Sequence, residues 1–184
     1  MAVLVEAISV IIRVDAIDAR LVGGWEALEA AIPNATACGD GELVRVGFMG
    51  PADVEAFVRG LEVKGLRYLA DGAAQDMVVV DQQSGPLARC NWIEAGRVSL
   101  DAAGKERVTI AWLIGSQVEG FATPPGWHYA TSLSHSFGFS KGVERPGPGL
   151  RFLRHDNGLD VYWDDLAGKE VFIGPAGGSA QDVG

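Results

Sequence analysis

The sequence predicts an α+β fold: an N-terminal ferredoxin-like βαββαβ unit followed by antiparallel β-hairpins and a C-terminal β-meander. Three observations carry this expectation. Residues 1–82 alternate β-branched apolar runs with two amphipathic stretches of helical period. From Gln82 onward the dominant period is two, with turn residues at short intervals. The chain is 48% hydrophobic and 21% charged over 184 residues, enough apolar material to fill a core without disulfides.

The elements follow in order. Residues 3–14 are almost wholly apolar and rich in valine and isoleucine, as expected of a central strand buried on both faces. Asp15 is placed to cap a helix that carries Trp25, Leu28 and Ile32 on one side and Glu26 and Glu29 on the other. Gly23-Gly24 offers a break within it, and Pro33-Asn34 stops it. Residues 35–39 and 42–49 then read as a hairpin around Asp40-Gly41, with Val44, Val46 and Phe48 on the buried face and Arg45 and Gly47 on the other. Gly50-Pro51 opens a second helix, Val54, Phe57, Val58 and Leu61 form its stripe, and Lys64-Gly65 close it. Asp71-Gly72 marks a turn before the strand 77–81.

In the second half, residues 91–100 and 106–114 read as strands joined by Asp101–Lys105. Residues 151–155, 159–163 and 169–173 form the closing meander, with Asn157-Gly158 as its first turn. The expected organisation is 1–82 as the ferredoxin-like unit, 83–173 as a β-rich unit packed on it as one compact body, and a glycine-rich disordered tail 174–184. The stretch 115–149 is the least regular. Its mixture of prolines, serines, histidines and aromatics, with a strand expected over Ser132–Phe139, makes it the first place to look for a binding surface.

Charge and composition limit the function. A net charge of −9 disfavours duplex nucleic acid and anionic membranes, both of which call for a basic face. The N-terminus lacks a basic region ahead of its apolar run, and no apolar stretch approaches a membrane span. A soluble, cytoplasmic protein is therefore expected. Cys38 and Cys90 are expected as reduced thiols, and no zinc spacing or nucleotide fingerprint occurs, so no metal or cofactor is predicted. Asn34-Ala35-Thr36 matches a glycosylation sequon without a secretory signal beside it.

Several residue sets could carry chemistry. Gly138-Phe139-Ser140-Lys141-Gly142 matches G-x-S-x-G, but Glu144 is the only acid between it and His155, and residues 142–149 cannot make the helix that a nucleophile elbow needs. Asp156–Asp160 lacks calcium-loop spacing and reads as a hairpin turn. His128 and His135, with Ser132, Ser134 or Asp81, could form an acid–base group. Cys90 could be a nucleophile with one of those histidines, although alternation separates it from Arg89. Trp25, Trp112 and Trp163 fit core faces. Trp92 and Trp127 border the irregular stretch and, with His128, Tyr129 and His135, could line a pocket for an apolar or aromatic ligand.

The leading expectation is a non-catalytic binding or regulatory module that takes a small molecule or a protein. The alternatives are a small hydrolase or transferase using His128 and His135, and an acidic inhibitor of a basic protein partner. An exposed edge strand pairing across a two-fold axis would make a homodimer.

Overall fold

The computed structural model describes residues 1–136 with their side chains, together with the backbone of 137, 150–156, 159–164 and 169–173. The protein is a mixed α+β structure with several sheets and few helices. Two compact units divide the chain, Met1–Phe137 and Gly138–Gly184.

In the first unit the elements are β1 (Ala2–Val5), β2 (Ile8–Arg13), α1 (Val14–Arg20), α2 (Gly24–Ala31), β3 (Cys38–Gly39), β4 (Leu43–Phe48) and α3 (Pro51–Val63). Then come β5 (Leu69–Ala70), β6 (Ala73–Ala74), β7 (Met77–Asp81), β8 (Gly85–Pro86), β9 (Ile93–Ser99), β10 (Arg107–Leu113) and β11 (Phe121–Ala122). A single 3-10 turn at Tyr129–Thr131 and the short helix α4 (Leu133–Phe137) close it.

The five-stranded sheet has the order β3-β4-β2-β7-β8 and is antiparallel throughout. Helices α1, α2 and α3 cover one of its faces. There Val10, Ile12, Val44, Val46, Phe48 and Val79 pack against Ile17, Leu28, Phe57 and Leu61. The opposite face presents Ile11, Leu43, Val78 and Val80 to Val3, Val5, Ile93 and Ala111 of the second sheet, whose order is β11-β1-β10-β9. The outer face of that sheet carries Ala2, Leu4, Val108 and Ile110 under Phe121, Trp127 and Tyr129. Strands β9 and β10 lie beyond residue 82, yet they share a sheet with β1. The second unit contains β12 (Leu150–Asp156), β13 (Leu159–Asp164) and β14 (Lys169–Ile173), an antiparallel sheet in that order.

Four local expectations change. The run 3–14 is not one strand. It breaks at Ala7, whose φ of 45° is left-handed, and its two halves serve different sheets. An alanine held in that region is unusual, and the cost is borne because the kink lets one apolar run fill two sheets. β4 is buried on both faces, so Arg45 and Gly47 point into the interior rather than into solvent. Residues 129–137 form helical turns where a strand is expected, because Ser132 caps the turn that follows it: its Oγ accepts from the His135 N–H at 3.1 Å. Trp25 is 41% exposed, not core, and its indole donates to Asp18 at 2.9 Å. The G-x-S-x-G residues 138–142, the Asn157-Gly158 turn and the tail 174–184 lie outside the described residues, as does the side chain of Trp163.

Candidate functional site

Glu6 and Arg45 are lone charges inside otherwise apolar strands, and the fold brings them together. Arg45 lies on the inter-sheet face of β4, fully buried, and Glu6 sits at the β1–β2 break with 2% exposure. The guanidinium Nη2 donates to Glu6 Oε2 at 3.3 Å, Nε to Ser9 Oγ at 2.9 Å and Nη1 to the Thr36 carbonyl at 2.9 Å. Burial lowers the Arg45 pKa, and the Glu6 carboxylate opposes that loss of charge. Gly47 is what lets the long side chain lie flat along β4. A Cβ there would stand 2.3 Å from Arg45 Nη2 and 2.8 Å from Cζ.

The other carboxylate oxygen, Glu6 Oε1, accepts three donors: the Trp127 indole N–H at 2.9 Å, Ser134 N–H at 3.2 Å and Ser134 O–H at 3.1 Å. Gln82 completes the join. Its Oε1 accepts the Ala7 N–H at 2.6 Å and its backbone N–H donates to the Ala7 carbonyl at 2.9 Å, holding the kinked residue from both sides. Gln82 Nε2 donates to the Ser134 carbonyl at 3.4 Å, and Thr109 Oγ donates to the Gln82 carbonyl at 2.6 Å. With four donors on the Glu6 carboxylate and four acceptors around the Arg45 guanidinium, and both side chains buried, the pair offers no exposed group to a substrate. The network is a clasp that seats residues 127–136 on the two sheets.

The sequence-predicted residues are distributed around this clasp without forming one pocket. Trp127 belongs to the clasp and packs on the outer face of the second sheet. Trp92 packs at the inter-sheet core, donates to the Ala74 carbonyl at 3.1 Å and lies 5.8 Å beneath the Arg13 guanidinium. His128 and His135 are exposed, and the His135 ring meets Tyr129 edge-on at 5.6 Å. Cys90 is half-buried against the inter-sheet core, while Asp81 Oδ1 is engaged by the N–H groups of Gln83 and Ser84. Among the described residues, no hydrogen bond or ring contact joins either histidine to Cys90 or Asp81. Cys38 is also a free thiol. Burial pushes its pKa up, and nearby Arg45 opposes the shift. Among the described residues, no group of three or more His, Cys, Asp or Glu could hold a metal ion, and no helix is long and apolar enough to cross a membrane.

An open cavity lies elsewhere, where the end of α2, the end of β4 and the first turns of α3 meet. It has a volume of about 490 Å³ and is lined by Ala31, Pro33, Asn34, Phe48, Asp53, Ala56 and Phe57. The tilted ring pair Phe48–Phe57, with centroids 5.3 Å apart, lies behind it and is itself core, 3% and 7% exposed. Asn34 lines its other side and is tied to β4 together with Thr36: both side chains donate to the Gly47 carbonyl, and Thr36 Oγ accepts the Gly47 N–H at 2.8 Å. Asn34 is committed to the backbone, so the exposed Asp53 carboxylate supplies the charged group at the rim. A smaller cavity of about 310 Å³ is lined by Arg13, Asp15, Asp18, Glu42 and Leu113 among others, with Arg13 paired to Asp15.

No family model, no curated protein and no solved structure matches the chain. The reading of the cavity therefore rests on its own chemistry. Sequence reasoning passed over this place because Phe48 and Phe57 read as core, which they are, and nothing in the local pattern marks the void beside them. Glu6 and Arg45 did carry a signal, as single charges interrupting apolar strands.

Proposed function

We propose that the chain is a non-catalytic binding module for a small amphiphilic molecule, seated in the cavity between α2, β4 and α3. The observation that carries this reading is an open void of about 490 Å³ bordered by the edges of the buried Phe48 and Phe57 rings, with the exposed Asp53 among its lining residues. Ligand sites pair an apolar body with a few placed polar groups in this way. The ligand class follows: a flat or branched apolar body bearing an ammonium, the body against the phenyl rings and the cation toward Asp53. The antiparallel order β3-β4-β2-β7 with helices on one face supports reading residues 1–82 as a ferredoxin-like unit in which β2, β3, β4 and β7 are the four strands. In that frame the cavity lies beside one edge of the helical layer.

Isothermal titration calorimetry with phenethylamine, and with 3-phenylpropionate as the anionic control, tests the proposal. The amine is expected to bind and the anion to fail. Ala56→Trp, at an exposed helical position on the rim, is expected to abolish binding, and Asp53→Asn to weaken it. Absence of amine binding, or binding that Ala56→Trp leaves intact, overturns the assignment of the cavity. Equal binding of amine and anion overturns the role of Asp53.

A further inference from the structure

We propose that the far end of the helical layer, where the α1–α2 turn meets the end of α3, is a docking surface for a basic protein face with an apolar centre. It is distinct from the cavity: Val63 lies ten residues beyond Asp53 on α3, about 15 Å along the helix. Three large apolar side chains are exposed there, Val63 at 89%, Val22 at 73% and Trp25 at 41%. Lone exposed apolar residues are ordinary, but this group is held together by the backbone. The Val22 N–H donates to the Lys64 carbonyl at 2.8 Å, bringing the α1–α2 turn against the residue that follows Val63. At Gly65, φ is +106° and a Cβ would stand 2.6 Å from the Arg20 carbonyl, so the crossing is close because that residue is glycine. The Trp25 indole is fixed by Asp18 before any partner arrives. A surface set in advance loses little side-chain entropy on binding, and tryptophan is the residue most often found at interface hot spots.

Charge states what would cover it. At this end the exposed faces of the three helices carry Asp18, Glu26, Glu29 and Glu62. The basic groups near them are Arg20, which pairs with Asp76 at 3.0 Å, Lys64, whose Nζ donates to the Ala27 carbonyl at 3.1 Å, and the exposed Arg67, fewer than the acids once Arg20 is paired. The surface is thus an apolar centre with an acidic rim, complementary to a partner with apolar side chains ringed by lysine or arginine. A second copy of this chain would bring acid against acid.

The probe is a fluorescein-labelled amphipathic Leu/Lys helical peptide, with its scrambled isomer of equal charge as control, read by fluorescence anisotropy against the full chain. Val63→Glu discriminates because it adds negative charge at a fully solvated position where folding is indifferent. Attraction by net charge alone makes Val63→Glu bind the peptide more tightly. Docking on the apolar centre makes Val63→Glu and Val22→Glu each bind at least about tenfold more weakly. That weakening, together with poorer binding of the scrambled peptide, is the expected result. Unchanged or tighter binding by Val63→Glu, equal binding of the scrambled peptide, or a sedimentation profile in which wild type self-associates and Val63→Glu does not, each overturns the proposal.

Discussion

Removing one half of the Glu6–Arg45 pair is expected to destabilise the protein at least as much as removing both. The two groups are 2% and 0% exposed, with Nη2 and Oε2 3.3 Å apart. At an effective dielectric near 20, that separation corresponds to an attraction of about 5 kcal/mol, set against the cost of taking both charges out of water. Glu6→Gln keeps the shape and the hydrogen-bonding capacity toward Trp127 and Ser134 but strands a buried guanidinium. Arg45→Met strands the carboxylate and frees Ser9 and the Thr36 carbonyl. Each single change is expected to cost about 3–5 kcal/mol, a large part of the stability of an ordinary domain. The double variant buries no charge and is expected to lose no more than the worse single, giving a coupling of at least about 2 kcal/mol. Urea unfolding followed by far-ultraviolet circular dichroism measures all four corners of the cycle. A Glu6→Gln variant within about 1 kcal/mol of wild type, or losses that simply add in the double variant, would refute the account of the clasp as a mutually dependent pair.

Two further outcomes follow from the same region. Gly47→Ala places a methyl group on the Arg45 guanidinium and is expected to cost about 3 kcal/mol or more, with Gly47→Ala in an Arg45→Met background costing clearly less; thermal unfolding of the two backgrounds compares them directly. Because burial raises the Cys38 pKa, the stability this thiol contributes is complete below the ordinary thiol pKa. It is lost as pH rises from about 8.5 through the raised folded value, since the unfolded thiol ionises first. Iodoacetamide labelling with peptide mapping should accordingly show Cys38 reacting in the native protein far more slowly than in urea at pH 8.5, and equal rates would contradict its placement.

Much of the fold is readable in residue order because each element is bounded by residues with strong local preferences. Pro51 and Lys64-Gly65 bracket α3, and Asp40-Gly41 makes its turn through an Asx contact in which Asp40 Oδ1 accepts the N–H groups of Glu42 and Leu43. What local pattern cannot reveal is how many layers a strand separates. Arg45 and Gly47 alternate with valines as solvent-facing residues would, and only the second sheet, built from strands distant in sequence, turns that face inward. The same ambiguity hides the break at Ala7, where no glycine or proline announces it and the kink is held by Gln82. The candidate site follows suit. Trp92 and Trp127 do border the irregular stretch, yet each indole is spent on a structural hydrogen bond, while the open cavity lies beside residues whose pattern says only core.

The kink at Ala7 also orders events in time. β2 finds its neighbours β4 and β7 within the first 81 residues, so the helix-backed sheet can assemble on the emerging chain. β1, separated from it by two residues, has as partners β10 and β11, which end at Leu113 and Ala122. During synthesis β1 therefore leaves the ribosome more than a hundred residues before its partner β10. Ala2–Val5, wholly apolar, stays an unpaired ribbon until β10 and β11 have been made, and long-range pairing of this kind is slow to close. The interval before β10 arrives is when the nascent chain is most exposed to aggregation and to chaperones that grip short apolar segments.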